Sequence, residues 1–256
     1  MTLRAKAPVG APVWLDLMTS EPEQIRSFYG ELFGWTSTEP DPDYGGYLNF
    51  LKDGVPVAGC MQNQPEFGTP DLWSVYLAST DAKATTDAAE AHGGAVVVAA
   101  MDVMDLGCMA VVTDPGGASI GVWEPRAHPG FGVLDEPGSP GWFELHTRDY
   151  DAALAFYRDV FGWDLHAVAD TPGFRYSTLG EGEGRLAGIM AAGDDFLPEG
   201  VPAHWSVYFS VESADATVTD TVRLGGSVVQ PVDDTPYGRL VTVADPTGAV
   251  FKLIQR

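Results

Sequence analysis

The sequence predicts an α+β protein built from two tandem copies of one module, each holding two strand–helix–strands units, four in all. Three observations carry that expectation. The chain repeats itself at an offset near 128 residues. Each copy opens with a strand-like run followed by helical apolar spacing. A proline- and glycine-rich stretch separates the copies.

The repeat is read residue by residue. Trp14 aligns with Trp142, Tyr29 with Tyr157, and Phe33-Gly34-Trp35 with Phe161-Gly162-Trp163, all 128 apart. Val57-Ala58-Gly59 aligns with Leu186-Ala187-Gly188 at an offset of 129, and Trp73-Ser74-Val75-Tyr76 with Trp205-Ser206-Val207-Tyr208 at 132. Asp114-Pro115-Gly116-Gly117 aligns with Asp245-Pro246-Thr247-Gly248 at 131. The order never changes, so the drift marks short insertions at turns. Pro125, Pro129, Pro137 and Pro140 punctuate the stretch between copies, giving an expected first module over 11–125, a linker over 126–140 and a second module over 141–256.

Within the first copy, Trp14 to Met18 alternates as a strand, and Thr19 or Ser20 is placed to cap a helix. Ile25, Phe28, Tyr29, Leu32 and Phe33 then form one apolar helix face, and Gly34 stands where a left-handed residue ends the helix. Ala153, Phe156, Tyr157, Val160, Phe161 and Gly162 repeat this. Short strands follow, broken by Tyr44-Gly45-Gly46 and by Gly180 to Gly184. Second units open at Trp73 and Trp205. Their helices run from about Asp81 to His92 and from about Ala214 to Leu224, stopping at Gly93-Gly94 and Gly225-Gly226. Strands then end near Trp123 and Ile254. Asp41-Pro42-Asp43 and Asp194-Asp195 read as solvated loops.

Composition narrows function. With 14 Lys+Arg against 36 Asp+Glu the formal charge is −22, which opposes binding to nucleic acid or anionic membranes. Cys60 and Cys108 cannot form a disulfide framework and read as free thiols in a reducing compartment. Met1 to Pro12 has no apolar h-region, and no apolar run nears the roughly 18 residues of a membrane span. A cytoplasmic location is expected, with leaderless export left open. There is no Gly-x-Ser-x-Gly elbow and no dinucleotide fingerprint, and the glycines at 180–184 lack Gly-Lys-Ser/Thr.

Phe-Tyr-x-x-x-Phe-Gly-Trp after a strand, and Asp-Pro-x-Gly before a last strand, each occur twice and in order. In this the chain resembles the vicinal-oxygen-chelate superfamily of glyoxalase, bleomycin-resistance and dioxygenase proteins. The two-module pattern is most similar to actinobacterial glyoxalase-like proteins, often labelled hydroxylases, some of which accompany polyketide or anthracycline pathways. The resemblance implies paired βαβββ units that curl into half-barrels around ligand cavities, with the helices outside. It also implies a divalent metal held by His, Gln or Glu from three strands. Carried over, the first position is Trp14 or Trp142, the second Ser74 or Ser206, and the third Gly121 or Lys252. Indoles, a glycine and an ammonium supply no lone pairs for an ion. The expectation is therefore no metal and no cofactor. Glu144, His146 and His204 share strand parity with these positions. Counted from the metal positions, however, the two histidines lie roughly 13 and 7 Å away, so joint chelation is not expected.

Alternation assigns the concave faces. The first collects Trp14, Asp16, Met18, Ser74, Tyr76, Ser119, Gly121 and Trp123. The second collects Trp142, Glu144, His146, Ser206, Tyr208, Val250 and Lys252. Leu15, Leu17, Val75 and Leu77 face the helices, as do Phe143, Leu145, Val207 and Phe251. Trp14, Asp16, Tyr76, Trp123, Trp142, Tyr208 and Lys252 are thus candidate ligand contacts, with Tyr237 and Arg239 closing over a ligand from the loop 233–239. Glu144, paired with Lys252 or released as a general base, and His146 as a proton carrier, are the catalytic candidates. Plainer roles fit the same residues: Trp14 and Trp142 as barrel filling, Glu144–Lys252 as a satisfied ion pair, His146 as an idle residue at a strand end. His92 and His128 are not site candidates.

Three functions follow. The first is a protein that binds a small hydrophobic or aromatic, polyketide-like molecule in metal-free cavities. The second is a metal-independent tailoring enzyme or hydroxylase component. The third is a glyoxalase-type lyase acting on methylglyoxal. The chain would act as a monomer or homodimer.

Overall fold

The computed structural model describes residues 6–194 and 196–256, so Asp195 and the first five residues lie outside it. The first module runs β1 (Pro12–Thr19), α1 (Pro22–Phe33), β2 (Thr36–Ser37), β3 (Leu48–Lys52), β4 (Val55–Gln62), β5 (Leu72–Ala78), α2 (Ala82–Ala91), β6 (Ala95–Val103), β7 (Gly107–Thr113) and β8 (Ser119–Pro125). The second runs β9 (Pro140–Thr147), α3 (Tyr150–Phe161), β10 (Leu165–Thr171), β11 (Phe174–Leu179), β12 (Ala187–Ala191), β13 (His204–Ser210), α4 (Ala214–Arg223), β14 (Ser227–Thr235), β15 (Gly238–Ala244) and β16 (Val250–Gln255). Each module is one eight-stranded sheet, ordered β2-β3-β4-β1-β5-β8-β7-β6 and β10-β11-β12-β9-β13-β16-β15-β14. The two units of a module therefore join along the antiparallel pairs β1–β5 and β9–β13. The α+β expectation of four strand–helix–strands units holds.

Gly34 and Gly162 close α1 and α3 at φ 71° and 69°, in the left-handed region where a Cβ is disfavoured. Neither Thr19 nor Ser20 caps α1. The helix starts after Glu21 with Pro22, whose fixed φ suits a first turn. The Thr19 hydroxyl instead accepts from the Glu21 N–H, and Ser20 is drawn to the Asp71 carboxylate. Asp81 and Ser213 do cap α2 and α4. No helix among the described residues is long and apolar enough to cross a membrane.

The helix-side faces of the two sheets meet in one core. Phe33 of α1 sits 5.2 Å from Phe209 of β13, ring to ring. Polar contacts then cross between modules in pairs. The Tyr29 hydroxyl donates to Asp245 Oδ2 (3.1 Å), and the Tyr157 hydroxyl donates to Asp114 Oδ2 (3.3 Å). Each tyrosine accepts from an indole of its own module, Trp73 at 3.1 Å and Trp205 at 2.8 Å. The other oxygen of each aspartate closes its own Asp-Pro turn by accepting the N–H of Ala118 or Ala249. Trp35 and Trp163 donate to the carbonyls of Gly138 and Gly10. The repeated motifs thus lock one module onto the other.

The segment between β8 and β9 is laid against the first module. Phe131 N–H bonds Val13 O, and Gly132 N–H bonds Pro56 O, both at 2.9 Å. Gly130 is at φ 102°, and a Cβ there would meet Val13 O at 2.3 Å.

A hydrogen bond to a buried carboxylate contributes about 1.5–3 kcal/mol. Tyr29→Phe and Tyr157→Phe are each expected to lower stability by that order in urea denaturation, and the double variant by roughly their sum. Unfolding should remain a single transition. Two resolved transitions in the unaltered protein would contradict a shared core.

Candidate functional site

At the centre of each concave face sits a carboxylate. In the first module Asp16 faces Ser74, and Trp14 faces Tyr76, across β1–β5, while Tyr76 faces Gly121 along β5–β8. Trp14 Nε1 donates to Asp16 Oδ1 (3.0 Å) and to the Tyr47 hydroxyl (2.8 Å), which itself donates to Asp16 Oδ1 (2.6 Å). In the second module Trp142 Nε1 donates to the Tyr176 hydroxyl (3.0 Å), which donates to Glu144 Oε2 (2.6 Å). The Tyr208 hydroxyl donates to Glu144 Oε1 (2.6 Å).

The close approach of tyrosine to carboxylate requires the repeated glycines. Gly59 is the strand partner of Asp16, and Gly188 that of Glu144. A Cβ on Gly59 would lie 1.7 Å from the Tyr47 hydroxyl, and one on Gly188 would lie 2.0 Å from that of Tyr176. The Ala-Gly repeat in the sequence is therefore the footprint of this cluster.

The copies differ at two places that matter chemically. Where the first has Met18 and Gly121, the second has His146 and Lys252. His146 Nε2 lies 2.9 Å from Glu144 Oε1 and 3.1 Å from Lys252 Nζ, and Lys252 Nζ lies 3.1 Å from the Tyr208 hydroxyl. One ring nitrogen serves one partner at a time: it either directs a hydrogen to Glu144 or offers a lone pair to Lys252. His146 Nδ1 is buried without a partner.

These surroundings push the two carboxyls in opposite directions. Burial raises Asp16, and the hydrogen bonds from Tyr47, Tyr76 and Trp14 only partly offset it. Burial also raises Glu144, but the His146 hydrogen bond, with the charges of His146 and Lys252, outweighs it and brings Glu144 down to about 2. Burial lowers His146 and Lys252, against the pull of Glu144. The tyrosines Tyr47, Tyr76, Tyr176 and Tyr208 are driven well above the ordinary phenol value, first by burial.

The structure brings Trp142, Glu144, His146, Tyr208 and Lys252 together, and separately Trp14, Asp16 and Tyr76. It alters several expected contacts. Glu144 and Lys252 make no direct ion pair; His146 and Tyr208 stand between them. His146 is 2% exposed, so it is no idle strand end. Arg239 does not close over the concave face. Its strand partner is Gln255, and its guanidinium pairs with Asp215 at the start of α4 and with Asp234, on the helix side. Tyr237, by contrast, is exposed at the β14–β15 turn yet close enough to the concave face to act electrostatically on Tyr176. His128 joins the first site: its ring meets Trp14 edge-on at 4.4 Å, and Trp123 Nε1 donates to its carbonyl. Burial takes His128 down to about 4, and its Nε2 has no partner.

Sequence parity missed Tyr47 and Tyr176, although they align at the same offset of 129 as the Ala-Gly pairs. It also separated two neighbours. His146 and His204 are cross-strand partners with parallel rings 5.4 Å apart. Because β9 and β13 are antiparallel, the two displacements run the same way along the sheet.

A divalent ion is poorly served here. Trp142, Ser206 and Lys252 hold the three family positions. Glu144 is already engaged by two phenols and an imidazole, and the Nδ1 of His204 lies 3.0 Å from Pro202 O. Among the described residues no group of three His, Cys, Asp or Glu side chains converges. The residues present do not fit the family's metal. Two surface clefts, of about 240 and 370 Å³, open outside both concave faces, one beside α2 and the end of α3, the other at the start of α3.

Four strand–helix–strands units in two modules, each with a polar centre on its concave face, define a two-module protein of the vicinal-oxygen-chelate type. The family model of the Glyoxalase/Bleomycin resistance protein/Dioxygenase superfamily matches residues 11–122 and 139–253, and the chain belongs to that superfamily. It is 36% identical to "Putative glyoxylase CFP32" of Mycobacterium tuberculosis, over 100% of this chain and 98% of that protein. It is 40% identical to the anthracycline biosynthesis protein DauV of Streptomyces sp. (strain C5), over 96% of this chain and 93% of that one. Among solved structures, the Mn(II)-bound glyoxalase from Novosphingobium aromaticivorans shares the fold with a TM-score of 0.66 at 14% identity, over 99% of this chain and 83% of that one.

The opposite carboxyl shifts predict opposite linkage. A carboxyl lowered in the fold stabilises above its unfolded value, 4.5 for Glu144, and that contribution is lost as pH falls toward 2. A carboxyl raised in the fold contributes most below its unfolded value, 3.8 for Asp16, and less as pH climbs through the folded value. Glu144→Gln is thus expected to cost on the order of 2–3 kcal/mol at pH 7 and progressively less in acid. Asp16→Asn should be neutral or stabilising at pH 7. Urea titrations at pH 7 and pH 3 check both, and equal losses from the two variants would refute the contrast.

Proposed function

We propose that the concave face of the second module binds a small hydrophobic or aromatic molecule without the family's metal. The observation that carries this is the hydrogen-bonded set Trp142–Tyr176–Glu144–Tyr208–Lys252–His146, in which Trp142 and Lys252 hold two of the family's metal positions. Trp142, Ser206, His204 and Lys252 are half-buried, so an indole face and several polar atoms are open to a ligand. Trp14, by contrast, is buried beneath His128 and Phe131. The likeness to DauV supports a planar, polyketide-like ligand class.

A second reading is a metal-independent enzyme in which Glu144 and His146 move protons on such a molecule. The sharing of His146 Nε2 between a carboxylate and an amine favours it. A glyoxalase-type lyase acting on methylglyoxal rests on the name of the mycobacterial relative alone.

The test is quenching of tryptophan fluorescence by 1,4-dihydroxyanthraquinone, with metal analysis of protein purified without chelators. Saturable quenching weakened at least tenfold by Trp142→Ala, and unchanged by Trp14→Phe, is expected. Stoichiometric zinc, nickel, iron or manganese that is lost in Glu144→Gln or His146→Ala would overturn the reading. Turnover abolished by Glu144→Gln in a folded protein would select the enzyme.

A further inference from the structure

Lys252 occupies an unusual setting for a lysine. Its nitrogen stands over the concave face, 5.0 Å from the centre of the Tyr208 ring, and the side chain is half-buried. It makes no salt bridge with a carboxylate of the described residues; its neighbours are the Tyr208 hydroxyl and His146 Nε2. The other lysines with recorded partners differ. Lys83 pairs with Asp87 at 2.6 Å on an exposed helix face, and Lys52 lies 3.6 Å from Asp53. Burial lowers Lys252 from the ordinary lysine value, against the pull of Glu144, so the free amine, the nucleophilic form, is reached more readily here than on an exposed lysine.

We propose that Lys252 captures hydrophobic aldehydes and ketones as a reversible imine. This rests on the reading that the second concave face admits a small molecule, and it adds a covalent step to it. The Nζ lone pair adds to the carbonyl carbon, and the C=O π pair moves to oxygen. That oxygen takes a proton from the Tyr208 hydroxyl, while the nitrogen gives one to His146 Nε2. The His146 imidazolium then gives that proton to the carbinolamine hydroxyl, which leaves as water as the nitrogen lone pair forms the C=N bond, and the remaining N–H proton returns to the Tyr208 oxygen, 3.1 Å from Nζ. The sum is carbonyl plus amine giving imine plus water, with no oxidant or reductant. Glu144, 2.9 Å from His146 Nε2, holds the imidazolium formed on the way and accepts from the Tyr208 hydroxyl once that is restored. The half-buried Trp142 ring supplies an apolar wall, which suits an aromatic carbonyl over a small polar one.

The experiment treats the full-length protein at pH 7 with limiting 4-hydroxybenzaldehyde and sodium cyanoborohydride, then maps the benzylated lysines by peptide mass spectrometry. Lys252 is expected to label at least tenfold faster than Lys83, an internal comparison that needs no variant. Tyr208→Phe and His146→Gln should each slow labelling of Lys252 at least fivefold and leave Lys83 unchanged. Lys252→Met should abolish the fast phase, with circular dichroism reporting the fold. Labelling of Lys252 no faster than of Lys83 would overturn the proposal. If the anthraquinone still binds through Trp142 in that event, non-covalent binding stands and covalent capture alone fails. If the anthraquinone does not bind either, both fall together.

Discussion

A carboxylate placed at the middle of an eight-stranded sheet, away from water, must be met by donors or it will hold its proton. That constraint organises both concave faces. It explains why a tyrosine hydroxyl comes within 2.6 Å of each carboxylate, and why an indole bonds the same tyrosine. It also explains why a glycine stands opposite each acid. From this shared base the modules diverge through two residues. His146 and Lys252 add a hydrogen bond and positive charge beside Glu144, and its carboxyl is held low. Met18 and Gly121 add none, and burial dominates at Asp16.

The family's signature residues do a different job. The tyrosine of Phe-Tyr-x-x-x-Phe-Gly-Trp reaches the aspartate of Asp-Pro-x-Gly in the other module, and each aspartate divides its two oxygens between its own turn and that tyrosine. Tyr29 and Tyr157 are fully buried, and burial drives both phenols upward, so these groups are fixed donors. Their work is to hold the helix-side faces together. The concave faces are thereby left free to vary, which is where the copies have come to differ.

Much of this was legible in the chain. Helical spacing, the left-handed glycines and the repeated motifs gave the elements, because each reflects a local preference of backbone or side chain. Strand parity placed Trp14, Asp16, Trp142, Glu144, His146, Tyr208 and Lys252 on one side, because alternation is a property of a single strand. What escaped depends on register between strands. Tyr47 and Tyr176 come from the neighbourhood of β3 and from β11, two strands away from the acids they bind, and only the pairing through β4 and β12 brings them in. His146 opposite His204 follows from antiparallel direction, which spacing along one strand does not report. Arg239 was assigned by its loop, whereas the parity of β15 sends it to α4. His128 entered the first site because the interdomain segment hydrogen-bonds along Val13 and Pro56 instead of crossing open solvent.

This last feature bears on how two copies of one module come to carry unequal chemistry. The segment that joins them must leave β8, an interior strand of the first sheet, and enter β9, an interior strand of the second. In doing so it lays His128 and Phe131 on Trp14, which is left 4% exposed. No ring among the described residues is laid on Trp142 as His128 and Phe131 are on Trp14. Trp142 consequently stays half-buried although its hydrogen bond to tyrosine is the same. The joining segment thus breaks the symmetry of the duplicated fold. It covers the face where burial raises Asp16, and not the face where Lys252, His146 and Glu144 lie within hydrogen-bond distance of one another or of Tyr208.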